Sequence, residues 1–163
     1  MSTLRAAGGF GMNPGGRMAA RARSAAGWQA PRMPIHIELH TSPALFPPPG
    51  YSHAVVSRGG ATVWSAGGVP LDADGVLVGP GDLTAQTEQV LANLDVALAD
   101  AGARPEDVVR TTVYVVTTER EDLGVVWDAV QASGLARAAS TLLGVALLGY
   151  EGQLVEIEAT AVV

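Results

Sequence analysis

Two carboxylates near the end of the chain, Glu156 and Glu158, are the residues best suited to chemistry in this sequence. They lie two positions apart in a run that alternates apolar and polar residues, so on a strand both point to the same face of a sheet. A partly buried carboxylate is either held by hydrogen-bond donors as a structural anchor or used in catalysis. The residues alone leave both alternatives open.

Most other catalytic and metal-binding groups are scarce. The 163 residues include no Cys and no Lys, which excludes disulfides, thiolate nucleophiles, cysteine-ligated zinc and lysine Schiff bases. His36 and His40 share one strand face but lie about 13 Å apart along the chain, too far for one metal ion. Gly67-Gly68 follows a β-prone run, but no helix begins there, so a turn is favoured over a phosphate-binding loop. We expect no metal.

The spacing of apolar residues predicts one mixed domain over residues 34–163. The predicted elements are strands over 34–40, 51–57 and 61–66, a helix from Asp82 to about Gly102, a strand over 108–116, a helix over 120–132, and strands over 141–148 and 153–163. The second and third strands are predicted to form a hairpin, because the glycine-rich stretch 58–60 suits a tight turn. Trp127 falls on the apolar stripe of the second helix, which favours packing in the core.

The last two predicted strands carry information about assembly. Five apolar residues share one face of the last strand and can pack beneath both helices: Val155, Ile157, Ala159, Ala161 and Val163. The strand before it is apolar on both faces, whereas two helices on one side of a sheet leave the other side uncovered. We therefore expect a neighbouring subunit to cover the second face, in a closed symmetric oligomer.

Charge divides the chain into two parts. Residues 1–34 contain five Arg and no acidic residue, a charge of +5, whereas the remainder has five Arg against sixteen acidic residues, a charge of −11. An acidic domain repels nucleic-acid phosphates, so no nucleic-acid partner is expected.

Residues 1–33 lack hydrophobic periodicity and are predicted to be a disordered, dispensable extension, native or artefactual, with Met33 as an alternative start. A targeting peptide and a binding arm are the other interpretations of this segment. Since no stretch reaches the roughly 18 apolar residues of a membrane helix, we expect a soluble, cytoplasmic protein with no membrane contact.

Five short motifs occur in order along the predicted domain. They are residues 51–55 (YSHAV), 65–70 (SAGGVP), 86–94 (QTEQVLANL), 107–115 (DVVRTTVYV) and 155–161 (VEIEATA). Together they resemble the reactive intermediate deaminase family, RidA or YjgF, also called L-PSP endoribonucleases. The resemblance implies a chorismate-mutase-like α+β fold, with a mixed sheet carrying two helices on one face. It also implies a homotrimer with a central β-barrel, a small-molecule ligand in each cleft between subunits, and no cofactor.

The resemblance further implies roles for individual residues. Deaminating members use a Glu on the last strand to position the water that attacks an imine carbon, and Glu156 matches it. The ligand-binding positions correspond to Tyr51, His53, Gly67, Gly68, Trp127 and Ser140. Members of the family have an Arg that binds the substrate carboxylate, and Ser140 stands at that position. A register shifted by one residue would place Ala139 there. The chain therefore resembles an Arg-less branch of the family. Arg137 lies two or three positions away and is an alternative donor, while Gly68 and Trp127 replace a Gln and an Asn and make the expected pocket less polar.

These assignments lead to two functional hypotheses. The first is hydrolysis of a small reactive imine, enamine or related metabolite that lacks the usual carboxylate contact, with Glu156 activating water. The second is a non-catalytic trimer that binds or senses a small ligand in the same cleft. The missing Arg disfavours deamination of ordinary 2-imino acids, and the acidic charge disfavours ribonuclease activity.

Deleting residues 1–32 tests the interpretation of the N-terminal part. Because these residues lack the apolar periodicity of a packed element, we expect the melting temperature and the oligomeric state to stay almost unchanged. Differential scanning calorimetry and light scattering on both chains measure this. A large drop in melting temperature would contradict the interpretation.

Overall fold

The computed structural model of the protein describes residues 35–44 and 50–163. The described chain contains β1 (His36–His40), β2 (Ala54–Arg58), β3 (Thr62–Trp64), α1 (Leu83–Asp100), β4 (Val108–Val116), α2 (Arg120–Ala132), β5 (Ala139–Val145) and β6 (Val155–Val162). Each predicted helix and strand is present, with bounds that differ by a few residues at most. The extension predicted for residues 1–33 lies outside the described residues.

Four strands form a mixed sheet in the order β3-β6-β4-β5. Strands β4 and β5 run parallel, whereas β6 is antiparallel to both of its neighbours. Strands β1 and β2 form a separate antiparallel pair. Helix α1 packs on β6, and α2 packs on β4 and β5, which gives the expected α+β architecture. None of the helices in the described part of the chain is long and apolar enough to cross a bilayer.

The hairpin predicted between β2 and β3 is wrong. Gly59 and Gly60 have positive φ angles of 76° and 85°, so the glycines do make a turn. That turn carries the chain from one sheet to the other, because β2 pairs with β1 and β3 pairs with β6. The backbones of Ala61 and Val163 exchange two hydrogen bonds of 2.6 and 2.9 Å at the start of the β3-β6 pairing. A local turn signal fixes a change of direction but not the strand that receives the hydrogen bonds.

The hydrophobic core lies between the helices and one face of the sheet. Its fully buried members are Val90, Leu94 and Leu98 of α1, Val126 and Val130 of α2, Val113 and Val115 of β4, and Val155, Ile157 and Ala161 of β6. The parity predicted for the last strand is therefore confirmed. Helix α1 begins at the predicted cap, where Oδ1 of Asp82 accepts the Ala85 N–H at 3.0 Å.

No element of the described chain packs over the second face of the sheet, which we call the open face. By cross-strand register it carries Trp64 of β3, Glu156, Glu158 and Thr160 of β6, Arg110, Thr112 and Tyr114 of β4, and Thr141 and Leu143 of β5. Trp64 is 75% exposed and Leu143 is 42% exposed. The two helices thus cover one face alone, as predicted, and both candidate carboxylates lie on the other.

A buried glutamine in the first turn of α1 fastens the helix to the chain that leads into β6. The Gln86 Nε2 donates to the carbonyl oxygens of Gly79 at 3.1 Å and Gly152 at 2.9 Å. Its Oε1 accepts the Leu154 N–H at 2.7 Å, and the residue is 0% exposed. One side chain therefore satisfies three backbone groups and sets where β6 begins.

Replacing Gln86 with Leu should lower the free energy of unfolding by about 2–4 kcal/mol, because it leaves buried backbone groups without partners. The matched control is Glu88→Leu on the exposed side of the same helix, expected to change stability by less than about 0.5 kcal/mol. Urea unfolding at a fixed protein concentration measures both. Equal losses in the two variants would contradict the role given to the Gln86 amide.

Candidate functional site

Glu156 is the second residue of β6 and lies opposite Tyr114 on the open face. Its Oε2 accepts a hydrogen bond of 3.0 Å from Nε2 of Gln153. Gln153 is itself buried and fixed, because its Nε2 also donates to the Val155 carbonyl and its Oε1 accepts the Tyr150 N–H, both at 3.1 Å. The Glu156 Oε1 accepts no hydrogen bond from the described residues and lies against Gly67.

Sequence analysis missed Gln153. The only signal was a polar residue at the start of an apolar strand, and that pattern does not say which way the side chain turns. Its partner Glu156 was found because the alternation along β6 and the family motif both singled it out.

The segment after β3 runs along β6 and brings Gly67 against the carboxylate of Glu156. Ser65 exchanges two hydrogen bonds with the Ala159 backbone, its N–H donating to the carbonyl and its Oγ accepting the N–H, and the Gly68 N–H donates to the Ile157 carbonyl at 2.7 Å. A methyl group at Gly67 would overlap the carboxylate of Glu156. A methyl group at Gly68 would come within 3.1 Å of the Val90 carbonyl oxygen on α1. Both glycines are therefore explained by the close approach of neighbouring groups rather than by a phosphate-binding loop.

A second group of predicted residues meets at the free edge of β5. Tyr51, Trp127 and Ser140 line a depression of about 350 Å³, together with Thr141 and Leu142. The Tyr51 and Trp127 rings lie 6.2 Å apart between centroids and nearly perpendicular, at 76°. Trp127 is thus partly a core residue and partly a wall of this depression, which we call the aromatic depression.

His53 and Ser140 border the same region through different contacts. The His53 ring lies 6.3 Å from the Tyr51 ring, and its Nδ1 accepts the Ser42 N–H at 2.9 Å. The Ser140 Oγ forms a 2.6 Å hydrogen bond with Thr111 Oγ1. Each of these polar groups already has a protein partner, so neither His53 nor Ser140 is set up as a nucleophile.

The two groups of residues lie on opposite faces of the sheet. Ser140 pairs with Thr111, whose other neighbour Ala159 belongs to the helix-covered face, and Trp127 projects from α2 on that same side. Glu156 lies on the open face. The structure therefore brings Tyr51, His53, Trp127 and Ser140 together, and Gly67, Gly68 and Glu156 together, but it does not join the two groups within one chain.

Arg137 does not reach the aromatic depression. Its side chain lines a separate groove with Ile37, Leu39 and Glu106, and its backbone carbonyl accepts a 2.8 Å hydrogen bond from Ser52 Oγ. Arg110 lines a different recess, on the open face. No cationic side chain among the described residues lines the aromatic depression.

Glu158 differs from Glu156 in its partner. Its Oε1 accepts a 3.0 Å hydrogen bond from the Tyr114 hydroxyl. That hydrogen bond, together with partial burial and the negative charges of Glu158 and Glu156, raises the pKa of the Tyr114 phenol. Glu158 is therefore engaged by a neutral donor across the strand pair, which favours the anchoring interpretation for this carboxylate.

The two histidines of β1 both contact a carboxylate on the same strand. His36 and His40 contact the two carboxylate oxygens of Glu38 at 2.9 and 3.4 Å. Within residues 35–44 and 50–163, no group of three or more His, Asp or Glu side chains has an arrangement that could hold a metal ion.

The chain thus has an α+β fold in which two helices cover one face of a mixed sheet. A glycine lies against a carboxylate on the last strand of that sheet. The model of the family described as Endoribonuclease L-PSP matches residues 41–163. The chain therefore belongs to the Endoribonuclease L-PSP family, the RidA/YjgF family that its motifs resemble.

Individual relatives agree with this assignment. YyfB of Yersinia pestis, described as a Rid-family protein of unknown function, is 41% identical, with a TM-score of 0.73 over 78% of this chain and 98% of that one. RidA from an Antarctic Psychrobacter is 26% identical, with a TM-score of 0.57 over 77% of this chain and 94% of that one. A RutC family protein of Pyrococcus abyssi is 35% identical over 77 residues, or 47% of this chain. The chain spans just over half the length of the curated relatives it matches, 59% and 58% for two of them.

Replacing Gly67 with Ala should move the Glu156 carboxylate off its position beside Gln153, because the new methyl group would occupy the same space. The fold should survive, since a flexible side chain can rotate away. The control is Gly124→Ala in α2, where the added methyl group meets nothing within 4 Å. Crystal structures of both variants provide the test, and an unmoved Glu156 in Gly67→Ala would contradict the close-contact argument.

Proposed function

We propose that the protein hydrolyses a small, uncharged imine or enamine, with Glu156 positioning and activating the attacking water. The observation that carries the proposal is the state of the Glu156 carboxylate. One oxygen is held by the buried Gln153 amide at 3.0 Å, and the other accepts no hydrogen bond from the described residues. A carboxylate with one oxygen fixed and one available can orient a water molecule and accept its proton.

The reaction needs only water as co-reactant. The water oxygen bonds to the imine carbon, the C=N double bond becomes single, and the water proton passes through the Glu156 carboxylate to the nitrogen. The resulting carbinolamine then breaks its C–N bond while its hydroxyl proton passes to the leaving nitrogen, and the products are a carbonyl compound and ammonia. An enamine enters the same sequence after tautomerising to the imine.

A complete cleft requires two copies of the chain in this proposal. Glu156 lies on the open face of β6, whereas the aromatic depression lies at the free edge of β5 beside Trp127 of α2, so the two do not line one pocket within a single chain. The open face exposes Trp64, and the loop after β5 exposes Leu147 and Tyr150, at 75%, 77% and 53%. Contiguous exposed apolar surface is typical of an interface. These observations and the family relationship support a homotrimer that joins Glu156 of one subunit to the aromatic depression of the next.

The proposed substrate lacks a carboxylate because nothing in the described chain is placed to bind one at the aromatic depression. Ser140 stands where an Arg is expected, and Arg137 lines a different groove. A neutral hydroxyl cannot replace the two charge-assisted hydrogen bonds of a guanidinium. Ribonuclease activity is not part of the proposal, although the family description carries that name, because a charge of −11 over residues 35–163 opposes RNA binding.

Non-catalytic ligand binding in the same cleft is the second candidate function. The aromatic depression favours it, because apolar walls and hydroxyl groups bind a neutral ligand whether or not Glu156 acts on it. The two candidates differ in one respect, which is whether loss of the Glu156 carboxylate abolishes a turnover or merely shifts an affinity.

Ammonia release above the uncatalysed rate is expected when the full-length protein meets an imine generated in situ by an amine oxidase from butylamine or benzylamine. Glu156→Gln should lower the catalysed rate by about 10²-fold or more, because the amide cannot accept the water proton. Release from 2-iminopropionate should be weak. Glu158→Gln, the same change two residues along the same strand, should keep the rate within about threefold.

Turnover that survives Glu156→Gln, or that is lost equally in Glu158→Gln, would contradict the catalytic assignment. Absence of turnover with every imine would overturn the enzyme proposal in favour of the binding protein. Robust release from 2-iminopropionate would show that the missing Arg is compensated.

A further inference from the structure

The aromatic depression at the edge of β5 has a composition that selects among ligands. Its walls are the half-buried rings of Tyr51 and Trp127 and the side chain of Leu142. Its lining residues also carry polar groups, namely the hydroxyls of Tyr51, Ser140 and Thr141 and the indole N–H of Trp127. Aromatic rings prefer to meet other rings edge to face or offset, as Tyr51 and Trp127 already do at 76° and 6.2 Å. A planar ring is therefore the shape that extends this wall most favourably.

The charge around the depression disfavours anionic ligands. No Arg lines it, the chain has no Lys, and residues 35–163 carry −11. A carboxylate bound there would lose hydration without gaining a cation, which is unfavourable. The Ser140 hydroxyl is already joined to Thr111 at 2.6 Å, so it offers a neutral hydrogen-bonding group.

The size of the depression limits the size of the ligand. A volume of about 350 Å³ lies at the lower end of the range typical of small-molecule pockets. It accommodates a single six-membered ring with a short substituent. Larger fused or chain-like ligands would extend beyond the walls contributed by this subunit.

We propose that the ligand of the cleft is a neutral molecule with one planar unsaturated ring next to the reacting C=N group, and that Trp127 and Tyr51 determine this specificity. This inference rests on the proposed function, because it names the substrate class of the same cleft. The ring packs on the aromatic wall of one subunit, which directs the adjacent imine carbon towards Glu156 of the next.

Three stable probes of matched size test the ligand class with the full-length protein. Benzamide is planar and neutral, benzoate is its charged counterpart, and cyclohexanecarboxamide is neutral but not planar. Isothermal titration calorimetry should give benzamide an affinity at least tenfold above benzoate and at least threefold above cyclohexanecarboxamide. Equal or tighter binding of benzoate overturns the charge argument, and equal binding of cyclohexanecarboxamide overturns the ring argument.

Variants of the wall locate the specificity. Trp127→Leu should reduce benzamide affinity about tenfold and remove the preference over cyclohexanecarboxamide, whereas Trp127→Phe should keep the preference. Tyr51→Leu provides a second variant if circular dichroism shows that Trp127→Leu is unfolded. An undiminished preference in whichever of the two leucine variants folds would overturn the assignment.

Binding and turnover separate this inference from the proposed function. Benzamide selectivity without any imine turnover would support the ligand class and overturn the hydrolase. Turnover combined with preference for benzoate would support the hydrolase and overturn the ligand class.

Discussion

The buried amide of Gln86 is the interaction on which the position of the candidate site depends. It bonds α1 to the backbone on both sides of Gln153, at Gly152 and Leu154, immediately before β6. Gln153 in turn holds the carboxylate of Glu156. A helix in the middle of the chain thus sets the orientation of a carboxylate on the last strand through two buried amides. Buried amides of this kind hold a geometry well because leaving any of their groups unpaired is costly.

The sheet itself divides the site into two halves. Alternation along β6 buries Ile157 beneath α1 and turns Glu156 to the open face, while the same alternation on β5 turns Ser140 towards α2. One constraint therefore stabilises the core and separates the carboxylate from the aromatic depression. In the proposed assembly, the contact that covers the open face also completes the cleft, so folding, association and function depend on the same surface.

The candidate site has two parts that differ in their chemistry. The contact between Gly67 and Glu156 and the hydrogen bonds of the following segment to β6 form a framework around the carboxylate that the proposed function uses. The depression opposite it has aromatic walls and no guanidinium. Because these two parts come from different elements, the framework can stay constant while the aromatic wall changes the kind of ligand that it accepts.

The sequence alone was sufficient for every helix and strand, for the face of β6 that enters the core, and for the placement of Glu156 on the opposite face, because these follow from local periodicity within short segments. The sequence did not predict that β3 pairs with β6, that Arg137 lines a groove with residues of β1, or that the Gln153 amide donates a hydrogen bond to the Glu156 carboxylate. Each of these depends on groups far apart along the chain: β3 bonds to β6, and Arg137 meets Ile37 and Leu39 of β1. Periodicity fixes which face a residue occupies, but strand pairing and side-chain direction are decided only when distant segments pack together, so the tertiary structure alone determined them.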